Sequence, residues 1–365
     1  MVVYLNKNNF WKGKKILLTG HTGFKGAWLS TWLKSLGANV IGYSLSPSTE
    51  PNLFELIKVS EGMTSINGNV QNLEELKNVL KKYNPEIVIH MAAQSLVRYS
   101  YKVPVETYMT NVMGTVNLFE AIRQTTGVKV VINVTSDKCY ENKEREAGYK
   151  EDEPMGGYDP YSSSKGCAEL VTSAYRKSFL EQNVAVASVR AGNVIGGGDW
   201  AEDRLIPDIV RGLLSNQKLE IRNPNAIRPW QHVLEPLSGY LTLAEKLWKE
   251  RHKYSEAWNF GPDEENDKSV IYMVETFLKL YGEKADWEID KEENKPHEAN
   301  YLKLDCTKAK TKLNWVPVWG IDIALEKTAE WYRVFKEKKD LEKITLSQIE
   351  QYEKELLIKQ NCLSV

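Results

Sequence analysis

The side chains best suited to chemistry are those of Tyr161 and Lys165, which stand in the string YSSSK at the start of a predicted helix. Residues i and i+4 share one face of a helix, so the phenol and the amine are expected to converge. A nearby ammonium group favours the phenolate and lowers a tyrosine pKa from its usual value of about 10. The pair could therefore take a proton from a hydroxyl group, although the same spacing also occurs in ordinary amphipathic helices.

A serine, an acid and an amine, Ser136, Asp137 and Lys138, directly follow the predicted strand VVINVT. Ligands of parallel sheets bind at the carboxyl ends of the strands, so these residues are expected to face the same crevice as the tyrosine and lysine. An additional acid and base suggest elimination, in which one group removes a proton beside a carbonyl and the other protonates a leaving hydroxyl. The alternative is a solvated strand-to-loop turn, which Asp and Lys also favour.

A glycine-rich turn, TGHTGFKG, joins the first predicted strand to a helix. Its spacing G-x-x-G-x-x-G and its position predict a dinucleotide diphosphate site, in which Gly20, Gly23 and Gly26 allow close backbone approach and the helix start supplies free N–H groups. Thr22 and Phe24 lie in the same turn. The second strand ends in Ser44-Leu45-Ser46, the next acid is Glu50, and no arginine stands there to hold a 2′-phosphate. The sequence therefore favours NAD over NADP, and the alternative is an ordinary helix-capping turn.

The elements that must position these residues alternate along the first half of the chain. Continuous apolar strands separated by amphipathic helices predict an α/β fold, a doubly wound parallel sheet of the Rossmann type with a smaller C-terminal substrate-binding domain. The predicted strands are 15–20, 38–44, 86–93, 128–136 and 184–190, and the predicted helices are 24–37, 72–83, 104–124 and 161–180.

The second half of the chain has a different pattern. Residues 191–231 are rich in Gly, Asn, Pro and Arg and are predicted to be loops of a substrate site, followed by helices at 233–248 and 268–282. We therefore predict a dinucleotide-binding domain at 1–190, onto which about 232–258 folds back, and a substrate domain at 191–340. The end of the chain, 341–365, is predicted to be a charged helical tail on the surface or at an interface.

Composition excludes several classes of function. The formal net charge of −1 gives no general attraction for nucleic acid. Neither a secretory leader nor an apolar run of about 18 residues is present, so no membrane partner is expected. The cysteines and histidines lack ligand spacing, so neither a metal site nor a disulfide framework is expected and the cytoplasm is the expected compartment.

The three motifs together resemble those of the extended short-chain dehydrogenase/reductases over about residues 13–330. Within that family the chain is most similar to the CDP-glucose 4,6-dehydratase branch. The strings that carry this likeness are AAQSLVRYSYKVP (92–104), TSDKCYENKE (135–144), RAGNVIGGGDWAEDRLIPDIVR (190–211), RPWQHVLEPLSGY (228–240) and HEANYLKLD (297–305).

The resemblance implies a reaction in three stages on a nucleotide sugar with bound NAD. Tyr161 would take the 4′-hydroxyl proton while C4′ is oxidised, and Ser136 would hydrogen-bond that oxygen. Asp137 would be the acid for the leaving C6′ hydroxyl, while Lys138 would act as a neutral base at C5′ or as a charged stabiliser of the enolate. Hydride returned to C6′ would complete a 4-keto-6-deoxy sugar, as in the deoxysugar pathways of O-antigen and lipopolysaccharide biosynthesis.

Further contacts follow from the resemblance by position. Asn69, in place of the usual Asp, would bind the cofactor together with Val70, Ala92, Ala93, Gln94, Tyr161 and Lys165. Arg228 and Asn193 would hold the substrate diphosphate, since a guanidinium fork suits phosphate oxygens. Arg98, Trp200, Arg204 and His232 are expected to line the substrate pocket, and ordinary packing is the alternative for each.

Other functions stay open on the sequence alone. They are a GDP-mannose or dTDP-glucose dehydratase, a nucleotide-sugar 4-epimerase, and a dinucleotide-binding sensor without catalysis. An epimerase does not need Asp137 and Lys138 as an acid and a base, and a sensor does not need an intact tyrosine–lysine pair. The helices at 104–124 and 161–180 could pair across a two-fold axis, as in family dimers, which predicts a homodimer or a higher homo-oligomer.

Overall fold

The computed structural model describes residues 9–263, 267–289 and 301–362. Its strands, in chain order, are β1 (Lys15–Thr19), β2 (Asn39–Ser44), β3 (Thr64–Asn67), β4 (Ile87–His90), β5 (Val130–Val134), β6 (Ala185–Ala191), β7 (Val194–Ile195), β8 (Leu219–Ile221), β9 (Ile227–Pro229), β10 (Gln231–His232), β11 (Ala257–Phe260), β12 (Asp267–Ser269) and β13 (Trp287–Ile289).

The helices cover both faces of the main sheet. They are α1 (Phe24–Ser35), α2 (Leu53–Leu56), α3 (Leu73–Tyr83), α4 (Val97–Lys102), α5 (Pro104–Tyr108), α6 (Gly114–Arg123), α7 (Pro160–Tyr175), α8 (Leu205–Ser215), α9 (Leu234–Glu250), α10 (Val270–Tyr281), α11 (Thr307–Leu313), α12 (Ile321–Lys336) and α13 (Leu341–Cys362). Within the described residues, no helix is long and apolar enough to cross a bilayer.

In the part of the chain that the structure describes, seven strands form one parallel sheet in the order β3-β2-β1-β4-β5-β6-β11. The order reverses beside β1, so a crevice opens at the carboxyl ends of β1 and β4. The predicted doubly wound parallel sheet is therefore confirmed. Strand β11 comes from the second half of the chain and pairs with β6.

Side-chain alternation along the strands builds a separate core on each face of the sheet. Ile16 and Leu18 of β1 pack into one apolar cluster with residues of α1, α9, α12 and α13. Leu17, between them, belongs to the opposite cluster with residues of α3, α6 and α7. A strand directs successive side chains to opposite faces, so a continuous apolar strand requires cover on both sides.

Three predicted elements differ in detail from the structure. The helix predicted at 104–124 is α5, a π-helical turn at Met109–Met113 and α6, while the helix predicted at 161–180 is α7 followed by a similar turn at Arg176–Leu180. The prediction of loops throughout 191–231 is wrong, because α8 lies within that stretch. Its Pro207 stands in the first turn, where a missing N–H costs the helix nothing.

The C-terminal helix α13 lies in the stretch 341–365 where a charged helix was expected, and one of its sides packs against the rest of the protein. The Ile349, Tyr352 and Leu356 side chains are buried against the core that α1 and α9 share. The buried carboxylate of Glu235 accepts hydrogen bonds from the Tyr352 hydroxyl and from the backbone N–H groups of Val318 and Trp319. These bonds join α13, and the segment that precedes α12, to α9.

Candidate active site

A cleft of about 1920 Å³ lies over the carboxyl ends of the sheet strands. Single-ligand pockets usually span about 300–1000 Å³, so this cleft has room for a dinucleotide and a second ligand together. Its lining includes the glycine-rich turn after β1 and the segments around α8, β8 and β9. Of the predicted motifs, the glycine turn, Ser136-Asp137-Lys138 and the Tyr161–Lys165 pair all line it.

The glycine turn is tightly folded and has no room for a side chain at two of its glycines. Its bare backbone can therefore lie close to a bound diphosphate. Gly20 has a φ of +76°, and a Cβ there would lie 2.7 Å from the backbone nitrogen of Ala92. A Cβ on Gly26 would lie 2.1 Å from the Gly20 carbonyl oxygen. Gly23 has no such clash; it is exposed and caps α1, so its missing side chain leaves the helix start open to a ligand.

The other predicted cofactor residues divide into two groups. Thr22, Phe24, Asn69, Val70, Ala92 and Ala93 line the cleft. The Thr22 hydroxyl donates to the Leu45 carbonyl at 2.8 Å and so ties the turn to the end of β2. Gln94 is not part of the lining, because its side-chain amide is used locally, donating to the Leu96 carbonyl and to the Thr107 hydroxyl.

The serine, acid and lysine after β5 form a short 3₁₀ turn at the floor of the cleft. The Ser136 hydroxyl donates to Asp137 Oδ1 at 2.8 Å and accepts from the backbone N–H of Lys138 at 3.2 Å. Asp137 is 4% exposed, whereas Lys138 is half-buried. The arrangement places a hydroxyl, a carboxyl group and an amine side by side, as the acid and base of an elimination require.

The tyrosine and the lysine lie near each other on α7, but burial raises the pKa of the tyrosine, against the lowering that the sequence analysis expected. Lys165 Nζ lies 5.9 Å from the centroid of the Tyr161 ring. Burial raises the pKa of Tyr161 to about 12, against a lowering by the hydrogen bond with Ser136. Burial also lowers the pKa of Lys165 to about 8, so Lys165 loses its proton more readily than a solvent-exposed lysine does.

The predicted substrate residues also line the cleft, with one exception. Arg98, Asn193, Trp200, Arg204 and Arg228 all belong to its lining. Arg204 donates to Asp199 at 2.8 Å, and Arg98 lies 3.9 Å from Asp203. Trp200 packs edge-on against Tyr332.

His232 is not a pocket residue, which corrects the prediction. Its ring is fully buried between Trp28 and Trp319, with ring centroids 5.8 Å and 4.9 Å away. Its Nδ1 accepts a hydrogen bond from the backbone N–H of Leu234. Burial lowers the pKa of His232 to about 3, so it is a neutral packing residue at the start of α9.

Lys25 and Asp199 are among the charged residues that line the cleft and that the sequence analysis missed. Lys25 could have been noticed as the formally charged side chain inside the glycine turn. Asp199 is 4% exposed and carries no motif of its own; it becomes recognisable through its ion pair with Arg204.

Comparison with known proteins agrees with this geometry. The model of a family described as GDP-mannose 4,6 dehydratase matches residues 17–328. The chain belongs to this family. The match covers the glycine turn, the Ser136-Asp137-Lys138 segment and the Tyr161–Lys165 pair, so the predicted membership of the extended short-chain dehydrogenase/reductases is confirmed.

Individual dehydratases and an epimerase are also similar to this chain in sequence or in fold. A curated "CDP-glucose 4,6-dehydratase" of Salmonella typhimurium is 55% identical over 339 residues, which cover 91% of this chain and 94% of that protein. The crystal structure of a dTDP-glucose 4,6-dehydratase from Bacillus anthracis in complex with NAD is 26% identical, with a TM-score of 0.74, and covers 90% of this chain and 99% of the other. A UDP-glucose 4-epimerase from Thermotoga maritima shares the fold, with a TM-score of 0.76 and 21% identity over 88% of this chain and 99% of the other.

Proposed function

We propose that this protein is a CDP-glucose 4,6-dehydratase, which converts CDP-glucose to CDP-4-keto-6-deoxyglucose and water. The observation that carries the proposal is that a dinucleotide turn, a tyrosine–lysine pair and an adjacent acid and amine line one cleft. Oxidation needs the first two features, and elimination adds the third. The choice of CDP-glucose over GDP-mannose or dTDP-glucose is supported by the 55% identical relative of that name.

NAD is the proposed cofactor, with its diphosphate at Gly20–Gly26 and its adenosine toward the end of β2. Ser44, Leu45 and Ser46 line that end of the cleft without an arginine for a 2′-phosphate. Asn69, Val70, Ala92 and Ala93 would enclose the adenine and ribose side. When bound, NAD accepts hydride from C4′ of the sugar and later returns it to C6′.

In the proposed mechanism Tyr161 takes the proton of the 4′-hydroxyl and Ser136 hydrogen-bonds the same oxygen. Lys165, on the same face of α7, supplies positive charge that favours the phenolate. Asp137 then gives its proton to the C6′ hydroxyl as it leaves. Lys138, its neighbour, either takes the C5′ proton as a neutral amine or stays charged and stabilises the enolate, in which case another basic group of the cleft takes that proton.

Substrate binding is assigned to cleft-lining residues outside the glycine turn. Arg228 and Asn193 are proposed to hold the diphosphate, because both line the cleft near the ends of β9 and β6. Arg98, Arg204 and Trp200 are proposed to surround the sugar and nucleoside. A guanidinium group binds phosphate oxygens through two parallel hydrogen bonds, which suits the role of Arg228.

The proposed activity is tested by incubating the purified protein and NAD with CDP-glucose, GDP-mannose, UDP-glucose and dTDP-glucose. We expect a 4-keto-6-deoxy product, detected by its absorbance in alkali, to form fastest from CDP-glucose. Faster turnover of another nucleotide sugar would contradict the assignment of the base. Formation of a C4′ epimer with no loss of water would replace the dehydratase by an epimerase.

We also propose that the protein forms a homodimer through the helical stretches 104–123 and 160–180. They pack side by side and leave apolar side chains exposed, of which Val105 is 74% and Leu170 is 61% exposed. Light scattering is expected to give at least twice the chain mass of 41.8 kDa. Val105→Glu with Leu170→Glu should shift the mass toward one chain, whereas Ile358→Glu, at an exposed position of α13, should not. A wild-type mass near one chain would reject the dimer.

The cytoplasm is the proposed compartment, and O-antigen or lipopolysaccharide synthesis is the proposed pathway. All four cysteines, Cys139, Cys167, Cys306 and Cys362, have free thiols, which suits a reducing compartment.

A further inference from the structure

Lys25 occupies an unusual place for a charged side chain. It is the second residue of α1, inside the glycine turn, and it is half-buried and lines the cleft. The first N–H groups of a helix have no acceptor within the helix, so the backbone here already favours an anion. Lys25 therefore adds an ammonium group to a surface prepared for negative charge.

Charged groups of both signs act on this ammonium group. Arg204 and Lys165 oppose its charge, and Asp137 and Asp199 favour it, while burial is the main cause that lowers the pKa of Lys25 to about 8. Within residues 9–263, 267–289 and 301–362, no hydrogen-bond acceptor or ion-pair partner contacts its Nζ. A half-buried ammonium group gains most from a ligand that brings an acceptor to it.

We infer that Lys25 is a phosphate-binding residue, whose ammonium group donates to an oxygen of the cofactor diphosphate. The inference rests on the proposed function only in taking the cofactor to be NAD. The cofactor diphosphate is favoured over the substrate diphosphate because Lys25 belongs to the glycine turn, which is the proposed site of the cofactor diphosphate. The substrate diphosphate is assigned instead to Arg228 and Asn193, which line the cleft at β9 and after β6.

The test measures binding in the absence of any sugar nucleotide. Wild-type protein and the variants Lys25→Met, Lys25→Gln and Lys25→Arg are titrated calorimetrically with NAD and with ADP-ribose, which keeps the diphosphate and lacks nicotinamide. Loss of a charge-assisted hydrogen bond is expected to weaken both ligands by about 10- to 100-fold in the Met and Gln variants. Lys25→Arg should retain most of the affinity, and the control Lys81→Met, at an exposed position of α3, should retain all of it.

Several outcomes would overturn the inference. They are an unchanged affinity for both ligands, a loss confined to NAD, or a changed KM for CDP-glucose with normal NAD binding. If both neutral variants fail to fold, the dependence of wild-type and Lys25→Arg binding on salt decides: a flat dependence contradicts a phosphate contact. A wild-type protein that binds NAD but does not dehydrate CDP-glucose would remove the proposed function and leave this inference standing.

Discussion

Tyr161→Phe is expected to lower the rate of product formation from CDP-glucose by about 10³-fold, within the usual range for a lost general base. The substitution removes the phenol oxygen and keeps the buried ring, so packing against the floor of the cleft is retained. Burial raises the pKa of Tyr161 to about 12. Nearby positive charge must therefore lower this pKa substantially before the phenol can act as a base near neutral pH. Bringing that pKa down to about 8 takes roughly 5 kcal/mol.

The measurement is the alkaline absorbance of the product at saturating substrate, with NAD binding followed separately. Binding of NAD to Tyr161→Phe should be close to that of the wild type, because the diphosphate turn is untouched. Tyr158→Phe is the matched control, since Tyr158 also lines the cleft but is 79% exposed at its mouth. Residual activity of Tyr161→Phe near the wild-type level would exclude the phenol as the proton acceptor.

Local patterns were sufficient to predict the cleft and five of the seven strands of the main sheet in the described part of the chain, whereas β3 and β11 were missed. Apolar strands of the type of KILLT and VVINV identify β1 and β5 because each has to bury both faces. Gly20 and Gly26 identify the turn because a side chain at either position would clash with the neighbouring backbone. Only glycine fits there, so the requirement is visible in the sequence. The carboxyl-end rule for parallel strands then places Ser136 beside that turn.

Other features depend on contacts between distant segments and left no local signal. His232 looks like a pocket residue in the string RPWQHV, but it is buried because Trp28 and Trp319 close around it. Helix α13 looks charged, yet Ile349, Tyr352 and Leu356 are buried against the core, and the Tyr352 hydroxyl donates to Glu235 of α9. The pKa of Tyr161 likewise follows from burial, which a spacing of four residues to Lys165 does not reveal.

Asp137→Asn is expected to slow the loss of water by about 10²- to 10⁴-fold while slowing oxidation at C4′ much less. Asn has the shape of Asp and still accepts the Ser136 hydrogen bond that Asp137 Oδ1 accepts at 2.8 Å. It cannot give a carboxylic proton to the departing C6′ hydroxyl. Single-turnover measurements with CDP-glucose separate the two steps by following the loss of the C4′ hydrogen and the appearance of the alkali-sensitive product.

A second substrate isolates the acid role. In CDP-6-deoxy-6-fluoroglucose the leaving fluoride needs far less protonation than a hydroxyl, so Asp137→Asn should slow fluoride release much less than it slows water loss. Asp159→Asn is the control, because Asp159 also raises the pKa of Tyr161 but serves as the cap of α7, where Asn is an equally good residue. Equal slowing of oxidation and water loss by Asp137→Asn would mean that Asp137 acts through Ser136 on the first step, and the acid would have to be sought elsewhere in the cleft.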